Sequence, residues 1–471
     1  MVESFSGRAV LAQDLRATMR LALPLVAAQL TAVGGNLIDV VMAGHLGAHT
    51  LAAVAVGANI WSLPLMAIIG VMMAMPPSVA QLDGARRRGE VGALFRQAVW
   101  LALVLGVVLQ QALYWGGPAL AAAMRVDPAL QDDVRAFVRA VSWGAPGLAL
   151  FVACRGLSDG LSMPRVSLVV GLCGLVVQLP LVWTLMYGRL GVPAMGAAGA
   201  GAANAVALWA QALAYLAYVR LARRFAGLGW ESGRRRPDAA ALFGLLRLGG
   251  PIAVAVLLEV GMFSATGLLV GRLGEVIVAA HQVALNVASI TFMVPLGIAM
   301  TITVRVGNAV GRGDAVGVRR AGMVGIGMAG CAQALSCIAM LTVPHAIIAL
   351  YTSDPRVLGV GVALLGFAGV FQLSDGIQVA SAGALRGLKD TRLPMAITLF
   401  AYWGAGMPIG WFLAFPMGMG AQGMWMGLVV GLSCAAVLLF ARFHRLSRLG
   451  AGLCRDAIDP VAQPVPAADR R

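Results

Sequence analysis

The sequence has little charge and almost no lysine. Only 12% of its 471 residues are charged, and one of its 35 basic residues, Lys389, is a lysine. Soluble domains carry about 25% charged residues, so this chain cannot face water over most of its surface. The five histidines and six cysteines show no metal-ligand spacing, which argues against a zinc site or a disulfide framework. The composition therefore excludes an ordinary soluble domain.

Apolar sequence is what the chain has in abundance. Hydrophobic residues make up 60% of it, in runs of about 20 residues or more, each long enough to cross a bilayer as a helix. Lipid offers no partner for unpaired backbone groups, and the runs are too long for barrel strands. The sequence predicts an all-α integral membrane protein with twelve transmembrane helices, near residues 20–43, 51–80, 94–116, 134–154, 165–187, 194–220, 243–270, 277–304, 320–343, 357–384, 393–414 and 420–441.

The positive charge follows the predicted loops. The net charge is +15, which could indicate a nucleic-acid partner, but the arginines cluster in alternate loops. The positive-inside rule explains this distribution in a membrane protein. It predicts a multi-pass protein of a bacterial cytoplasmic (inner) membrane, with both termini in the cytoplasm and no nucleic-acid partner.

The two halves of the chain resemble each other. Shifting residues 24–84 by 227 positions gives 18 identities in 61, which indicates an internal duplication. A weaker echo pairs Arg155-Gly156 with Arg386-Gly387, and Gly196/Gly199 with Gly420/Gly423. We predict two parallel six-helix lobes, related by a pseudo-twofold axis along the membrane normal, with substrate bound between them. The predicted parts are an N-terminal lobe, a basic cytoplasmic connector, a C-terminal lobe and a cytoplasmic tail, at residues 1–222, 223–242, 243–441 and 442–471.

Three acidic residues lie inside predicted spans: Asp39, Glu259 and Asp375. A carboxylate at mid-depth costs roughly 2.5–3.5 kcal/mol on insertion scales, and such residues usually face a bundle interior or a watery cavity. The alternative is a protonated carboxyl that hydrogen-bonds to a neighbouring helix for structure alone. Three such residues together favour an ion-coupled transporter.

Other polar and aromatic residues share helix faces with these acids. Gln29, Asn36 and Asp39 lie within about 80° on one face of the first span, which predicts a cavity lining. Phe263 follows Glu259 by one turn, and Phe371 precedes Asp375 by one turn. The remaining candidates for the cavity or for substrate binding are Gln282, Asn286, Phe292, Gln372 and Gln378.

Two chemistries fit the acids of the C-terminal half. Glu259 and Asp375, with amide or backbone oxygens, could bind a hard monovalent cation such as Na⁺. If the two acids lie close together without a metal, burial and mutual repulsion favour protonation, which suits a proton carrier. The sequence leaves both possibilities open for the coupling ion, and it predicts no other cofactor.

Several motifs carry a resemblance to a known family. They are Leu23-Pro24, Asp39 to Gly44, Gln81 to Glu90, and Val306 to Gly313, together with acids on the first, seventh and tenth spans. In this pattern the chain resembles the multidrug and toxic compound extrusion (MATE) family, in its NorM-type bacterial branch, over roughly residues 15–445.

The resemblance implies export of bulky cationic or amphiphilic compounds in exchange for Na⁺ or H⁺. It implies a cation site at Glu259 and Asp375 in the C-terminal lobe and a role for Asp39 in the N-terminal lobe. Phe292 and Phe371 stand where tyrosine is frequent in NorM-type proteins, so a hydroxyl ligand is missing there.

Other functions fit the sequence less well. A flippase for pyrophosphate-linked lipids would require arginines in its cavity, yet no arginine lies mid-span. An intramembrane enzyme would require a paired aspartate, a Ser/His pair or a histidine cluster. A passive channel would not require a duplicated two-lobe plan. We therefore expect a monomeric transporter of small organic cations that is not an enzyme.

Overall fold

The computed structural model describes residues 2–123, 127–189, 191–230 and 236–448. Every regular element in these ranges is helical, because a chain in lipid must satisfy its backbone groups internally. The first half contains α1 (Val2–Leu46), α2 (Ala48–Met72), α3 (Met75–Gly84), α4 (Val91–Ala123), α5 (Pro128–Ser142), α6 (Ala145–Gly160), α7 (Pro164–Tyr187) and α8 (Gly196–Leu221). The second half contains α9 (Ala239–Val270), α10 (Glu275–Gly311), α11 (Ala315–Thr342), α12 (Pro344–Ala349), α13 (Pro355–Gly387), α14 (Arg392–Leu399), α15 (Met407–Ala414) and α16 (Gly420–Arg448).

The predicted number of spans is confirmed. In the part of the chain that the structure describes, 11 helices are long and apolar enough to cross a membrane, and a twelfth span results if α5 and α6 are counted together. These two helices meet at an angle of 44°. The break falls at Trp143 and Gly144, just before Pro146, whose ring cannot donate a backbone hydrogen bond.

Most helices extend beyond the predicted apolar spans. Arg155, Arg305 and Arg386 therefore lie inside α6, α10 and α13, although the predicted spans exclude them. Hydropathy detects only the apolar part of a helix, whereas the backbone continues into its polar ends. Arginine is consequently present within the helices, near their ends.

The chain forms two compact units. One, the N unit, is Ala27–Ala253; the other, the C unit, combines Met1–Val26 with Val254–Arg471. The N unit has its own hydrophobic core, which includes Phe95, Phe137 and Tyr215. Two apolar clusters fill the C unit, one around Trp425 and one around Phe443. The lobe boundaries at residues 222 and 243 stay a prediction. Two predicted segments lie partly outside the described ranges: the connector at residues 231–235 and the tail from residue 449.

Backbone geometry repeats between the two halves. Gly47 and Gly274, 227 residues apart, have φ angles of 119° and 112°. At the same separation, Arg86 and Gly313 have φ of 61° and 70°, and Ser162 and Lys389 have φ of 60° and 58°. Left-handed backbone is unusual away from glycine, so its recurrence at one separation supports the internal duplication.

This geometry corrects the pairing of Arg155 with Arg386. A Cβ on Gly160 would lie 2.6 Å from Val79 Cβ, and a Cβ on Gly387 would lie 2.7 Å from Val306 Cβ. Gly160 and Gly387 are therefore equivalent, again 227 residues apart. The alignment of Arg155 with Arg386 is therefore shifted by four residues, about one helical turn, from the structural equivalence. Arg386 consequently occupies the position of Asp159, and Arg155 corresponds to Ala382.

Candidate cation site

The two acids of the C-terminal half come together inside the C unit. Glu259 lies on α9 and is half-buried, whereas Asp375 lies on α13 with only 4% of its surface exposed. The two carboxyl groups are close enough to interact electrostatically. Like charges in a poorly hydrated site repel strongly unless a cation or a proton neutralises one of them. The pair therefore has the chemistry of a cation or proton site.

Helix α13 brings further polar groups to this region. Gln378 is 4% exposed and Ser381 is fully buried. Asp375 Oδ1, Gln378 Oε1 and Ser381 Oγ are buried without a hydrogen-bond partner among the described residues. Buried polar atoms almost always have a partner in protein, water or an ion. The oxygens of Asp375 and Gln378, three residues apart on one helix, are the ligand type that a hard cation prefers, so these two residues fit a bound cation. Ser381 lies about 9 Å along the helix axis from Asp375, too far to bind the same ion.

Gln372 differs from Gln378, although the sequence placed both beside Asp375. Its Oε1 accepts a hydrogen bond of 2.6 Å from Gln333 Nε2, and its Nε2 donates one of 2.9 Å to the carbonyl of Ala288. A further bond joins Gln372 Nε2 to Thr291 Oγ1. Gln372 therefore connects α10, α11 and α13, and its predicted place in the cavity stays a prediction.

Tyr402 is a residue that the sequence analysis missed. It is fully buried, and its hydroxyl has no hydrogen-bond partner among the described residues. The hydroxyl lies within electrostatic range of both Glu259 and Asp375. It supplies from the eleventh span a phenol group that Phe292 and Phe371 cannot provide. The available signal was that Tyr402 is the only tyrosine in the predicted span 393–414.

A π-helical segment holds Tyr402 in place. The segment runs from Phe400 to Gly406, between α14 and α15. Trp403 Nε1 donates a hydrogen bond of 3.1 Å to the carbonyl of Leu258, the residue before Glu259. This bond fixes the segment against α9. Short π-helical segments occur frequently at functional sites, which agrees with the position of Tyr402.

Two of the predicted aromatic residues contact each other. The rings of Phe263 and Phe371 meet edge to face with centroids 5.8 Å apart, and Phe371 meets Trp425 at 6.0 Å. Farther along α10, Phe292 is half-buried, whereas Gln282 and Asn286 are exposed. Asn286 Oδ1 accepts a 3.0 Å hydrogen bond from the hydroxyl of Tyr351. Phe263 and Phe371 are thus the predicted aromatic residues that the structure brings into contact.

Asp39 has a separate environment in the N unit. Its Oδ2 accepts a 2.7 Å hydrogen bond from Asn204 Nδ2, and its Oδ1 accepts a 3.2 Å bond from Gln178 Nε2. Gln178 Nε2 also donates to Asn204 Oδ1 at 2.8 Å. The carboxylate is therefore held between α7 and α8 by two amides. Gln178 was not among the predicted residues, because hydropathy alone does not show which helices pack together.

The other polar residues predicted on this face of α1 have environments that differ from that of Asp39. Asn36 is exposed. Gln29 accepts a hydrogen bond from Arg155, which also forms a 3.4 Å ion pair with Asp159. The Asp159 side chain is 1% exposed, and its Oδ1 accepts a 2.6 Å bond from Ser167. Asp159 is a buried carboxylate that the sequence analysis missed, since it follows the apolar part of its span.

Comparison with known proteins agrees with this architecture. The MatE family model matches residues 24–184 and 251–412, one segment in each half. A curated protein of Xanthomonas campestris pv. campestris, named "Probable multidrug resistance protein NorM", is 44% identical over 437 residues, covering 93% of this chain and 95% of that protein. A protein with the same name from Xanthomonas axonopodis pv. citri is also 44% identical, with the same coverage.

Solved structures show the same fold. A crystal structure described as "MATE in the bent conformation" superposes with a TM-score of 0.85 at 19% identity, covering 95% of this chain and 99% of that one. An outward-facing multidrug resistance MATE family transporter of the MOP superfamily gives a TM-score of 0.84 at 18% identity, covering 93% and 96%. At this level of identity the likeness concerns the fold alone.

Proposed function

Because this chain belongs to the MatE family, we propose that it is a secondary active multidrug efflux antiporter. It exports cationic and amphiphilic organic compounds in exchange for Na⁺ or H⁺. The observation that carries the proposal is the pair of interacting carboxyl groups, Glu259 and Asp375, inside the C unit. The name of the 44% identical relatives supports multidrug substrates.

The coupling ion binds at this pair and at the oxygens around it. Without a cation, two ionised carboxylates in a poorly hydrated site repel each other. Neutralisation by Na⁺ or a proton removes the repulsion and favours a different conformation of the surrounding helices. A ligand shifts a conformational equilibrium only by its difference in affinity for the two states. We propose alternating access of two lobes, with the ion favouring one state and the drug favouring the other.

Asp39 contributes to recognition of the positive charge on substrates. Asn204 and Gln178 orient its carboxylate with two hydrogen bonds, so the oxygens are positioned before a cation arrives. Bulky apolar parts of a drug need no specific partner and bind through surface area. A cationic drug can therefore use Asp39, while neutral drugs depend on apolar contacts.

The protein resides in a membrane as a multi-pass helical bundle. We propose the bacterial cytoplasmic membrane, with both termini in the cytoplasm, since most arginines lie in alternate loops on one side. The proposed functional form is a monomer. Drug export is favoured over lipid flipping because the candidate site contains two acids, Glu259 and Asp375, and acids suit cationic substrates.

Transport by purified protein in liposomes tests the proposal. Na⁺ and pH gradients are imposed separately, and uphill movement of a cationic dye is recorded. Glu259→Gln removes the charge but keeps the shape of the side chain, so we expect ion-driven transport to fall to background while dye binding persists. Glu275→Gln is the matched control: it makes the same change at an exposed glutamate at the start of α10 and should transport normally.

Two results would contradict the proposal. Normal ion-driven transport by the Glu259→Gln protein would show that this carboxylate does not couple. Dye transport that is independent of both gradients in the unaltered protein would exclude antiport. Comparison of the two gradients also identifies the ion.

A further inference from the structure

A groove runs between α7 and α8 on the surface of the N unit, and the proposed transport cycle makes no use of it. Its volume is about 520 Å³, and pockets of about 300–1,000 Å³ hold small ligands in proteins. Val169 and Val177 line it and are exposed, although their side chains are apolar. The other walls are small residues, among them Cys173, Ala210 and Ala214. The groove therefore offers an open apolar surface.

Two arginines lie at one end of this groove. Arg165 is in the first turn of α7, and Arg224 lies in the turn that follows α8. Both are exposed and line the groove, and neither forms an ion pair with another described residue. None of the lining residues is acidic. The groove thus joins apolar walls to a concentrated positive charge.

Neighbouring contacts hold the charged end in place. Arg224 precedes Phe225, which is fully buried. The ring of Tyr218, which also lines the groove, meets Phe225 edge to face with centroids 6.0 Å apart. Tyrosine, with an apolar ring and a polar hydroxyl, is enriched where a membrane meets water. This end of the groove therefore has the composition of a lipid headgroup region.

The length of the groove matches one leaflet of a bilayer. Along α7 it extends from Arg165 to Val177, twelve residues apart, which corresponds to about 18 Å. Along α8 it runs in the opposite chain direction, from Tyr218 to Ala210. The hydrocarbon core of a bilayer is about 30 Å thick, so one leaflet contributes about 15 Å. The charged end and the apolar walls are therefore spaced like the headgroup and the acyl chains of a phospholipid.

We propose that this groove binds one anionic phospholipid, with its phosphate at Arg165 and Arg224 and an acyl chain between α7 and α8. Guanidinium groups bind phosphate oxygens through charge-assisted, often bidentate hydrogen bonds. Basic pockets between transmembrane helices on the cytoplasmic side bind anionic headgroups. In the orientation proposed above, both arginines face the cytoplasm, so the lipid belongs to that leaflet. The inference goes beyond drug export and does not depend on the coupling ion.

The groove differs from the proposed drug site in the sign of its charge. Cationic drugs are attracted by Asp39, whereas Arg165 and Arg224 repel them. A soluble partner does not fit either, because α7 and α8 are both apolar enough to span a membrane. The inner end of the groove adjoins the Asp39 site, since Val177 precedes Gln178, whose Nε2 donates to Asp39 Oδ1 at 3.2 Å. The bound lipid is a structural component that packs against the two helices holding Asp39.

Lipid binding to the purified, delipidated full-length protein tests the proposal. Native mass spectrometry counts bound phosphatidylglycerol, which is anionic, and phosphatidylcholine of the same chain length, which is zwitterionic. We expect one phosphatidylglycerol to bind before any phosphatidylcholine does. The double variant Arg165→Gln, Arg224→Gln should bind phosphatidylglycerol roughly 30-fold more weakly, from the usual contribution of two arginines to anionic-lipid binding, with phosphatidylcholine unaffected.

A second double variant is the matched control. Arg312→Gln with Arg319→Gln makes the same change of charge at two exposed arginines of the C unit, and it should bind phosphatidylglycerol as the unaltered protein does. Because all four arginines are exposed, both double variants should fold normally. Equal phosphatidylglycerol affinity of the two double variants would overturn the proposal. So would equal affinity of the unaltered protein for the two lipids.

Cys173 reports the position of the acyl chain. It is exposed and lines the groove, so a protein with Cys173 as its only cysteine is labelled with a small fluorophore in phosphatidylcholine nanodiscs. A small fraction of phosphatidylglycerol with a spin-labelled acyl chain is then added. Quenching should be stronger at Cys173 than at the exposed Cys331 of the C unit, and Arg165→Gln with Arg224→Gln should abolish the difference. Equal quenching at both cysteines in the protein with intact arginines would contradict the proposal.

Free phosphate is the alternative ligand for the two arginines. Ala214→Trp fills the groove at an exposed lining residue and leaves both arginines in place, so it should weaken phosphatidylglycerol binding. If inorganic phosphate displaces phosphatidylglycerol, and Ala214→Trp binds the lipid normally, the arginines form an anion site without an acyl-chain groove and the proposal fails. The liposome transport assay tests the antiport separately, so failure of the lipid site is distinguishable from failure of the proposed function.

Discussion

A methyl group added to Gly427 should displace the segment that carries Tyr402. Gly427 lies on α16, where a Cβ would be 2.3 Å from Gly410 Cα and 2.6 Å from the carbonyl oxygen of Gly406. Ordinary van der Waals contact begins at about 3.4 Å, so the backbone would have to move by about 1 Å. Both contacts are backbone atoms, which cannot rotate away as a side chain can. Overpacking of this kind costs about 1–3 kcal/mol.

The expected result for Gly427→Ala is a lower melting temperature and weaker ion coupling. Gly406 ends the π-helical segment, so a displacement there moves Tyr402 relative to Glu259 and Asp375. Thermal unfolding in detergent measures the first effect, and ion-driven dye transport in liposomes measures the second. Loss of coupling should exceed any loss of dye binding, because only the ion site is displaced.

Gly327→Ala is the matched control for this change. Gly327 lies on α11, and a Cβ there would meet no heavy atom within 4 Å. In the middle of a helix, alanine is more favourable than glycine by about 0.5–1 kcal/mol, because glycine loses more conformational freedom on folding. This variant should therefore be at least as stable as the unaltered protein. Equal melting temperatures for Gly427→Ala and Gly327→Ala would refute the packing argument.

Two further predictions concern charges outside the coupling site. Arg155→Met removes the ion-pair partner of the buried Asp159 carboxylate and should destabilise the fold by about 3–5 kcal/mol. Adding Asp159→Asn should recover much of the lost melting temperature. An unchanged melting temperature for Arg155→Met would show that the ion pair is dispensable. Burial lowers the pKa of Lys389 from 10.5 to about 8, so the unfolded chain binds more protons between these values and stability rises with pH there. Lys389→Met should therefore raise the melting temperature at pH 7, with a difference that disappears above pH 10.5; a constant difference at all pH values would contradict burial of the charge.

The helical architecture could be predicted from sequence because lipid restricts the choices. A long apolar run in a bilayer must be a helix, so all twelve spans were found from composition alone. The helix ends could not be found in this way. Arg305 lies within α10, and its guanidinium pairs with Asp14 near the start of the chain. A hydropathy window does not detect such a contact.

The candidate site was predictable only in part, for a related reason. Glu259, Asp375 and Asp39 stand out in apolar sequence because each isolated charge is costly there. Their partners depend on how helices pack, which a local pattern does not reveal. Tyr402 was missed because an amphipathic side chain is unremarkable in a membrane span, and its relation to the acids requires the π-helical segment.

The π-helical segment also bears on how the two halves diverged after duplication. The corresponding helix of the first half, α7, is an uninterrupted α-helix, whereas the second half has wider turns between α14 and α15. Helix α7 ends at Tyr187 and α15 ends at Ala414, again 227 residues apart, so the wider turns of the second half involve no change in chain length. At the same separation, Tyr402 corresponds to Leu175 of the first half. The second half therefore has a hydroxyl group at a position where the first half has an apolar side chain, within helices that end at corresponding residues.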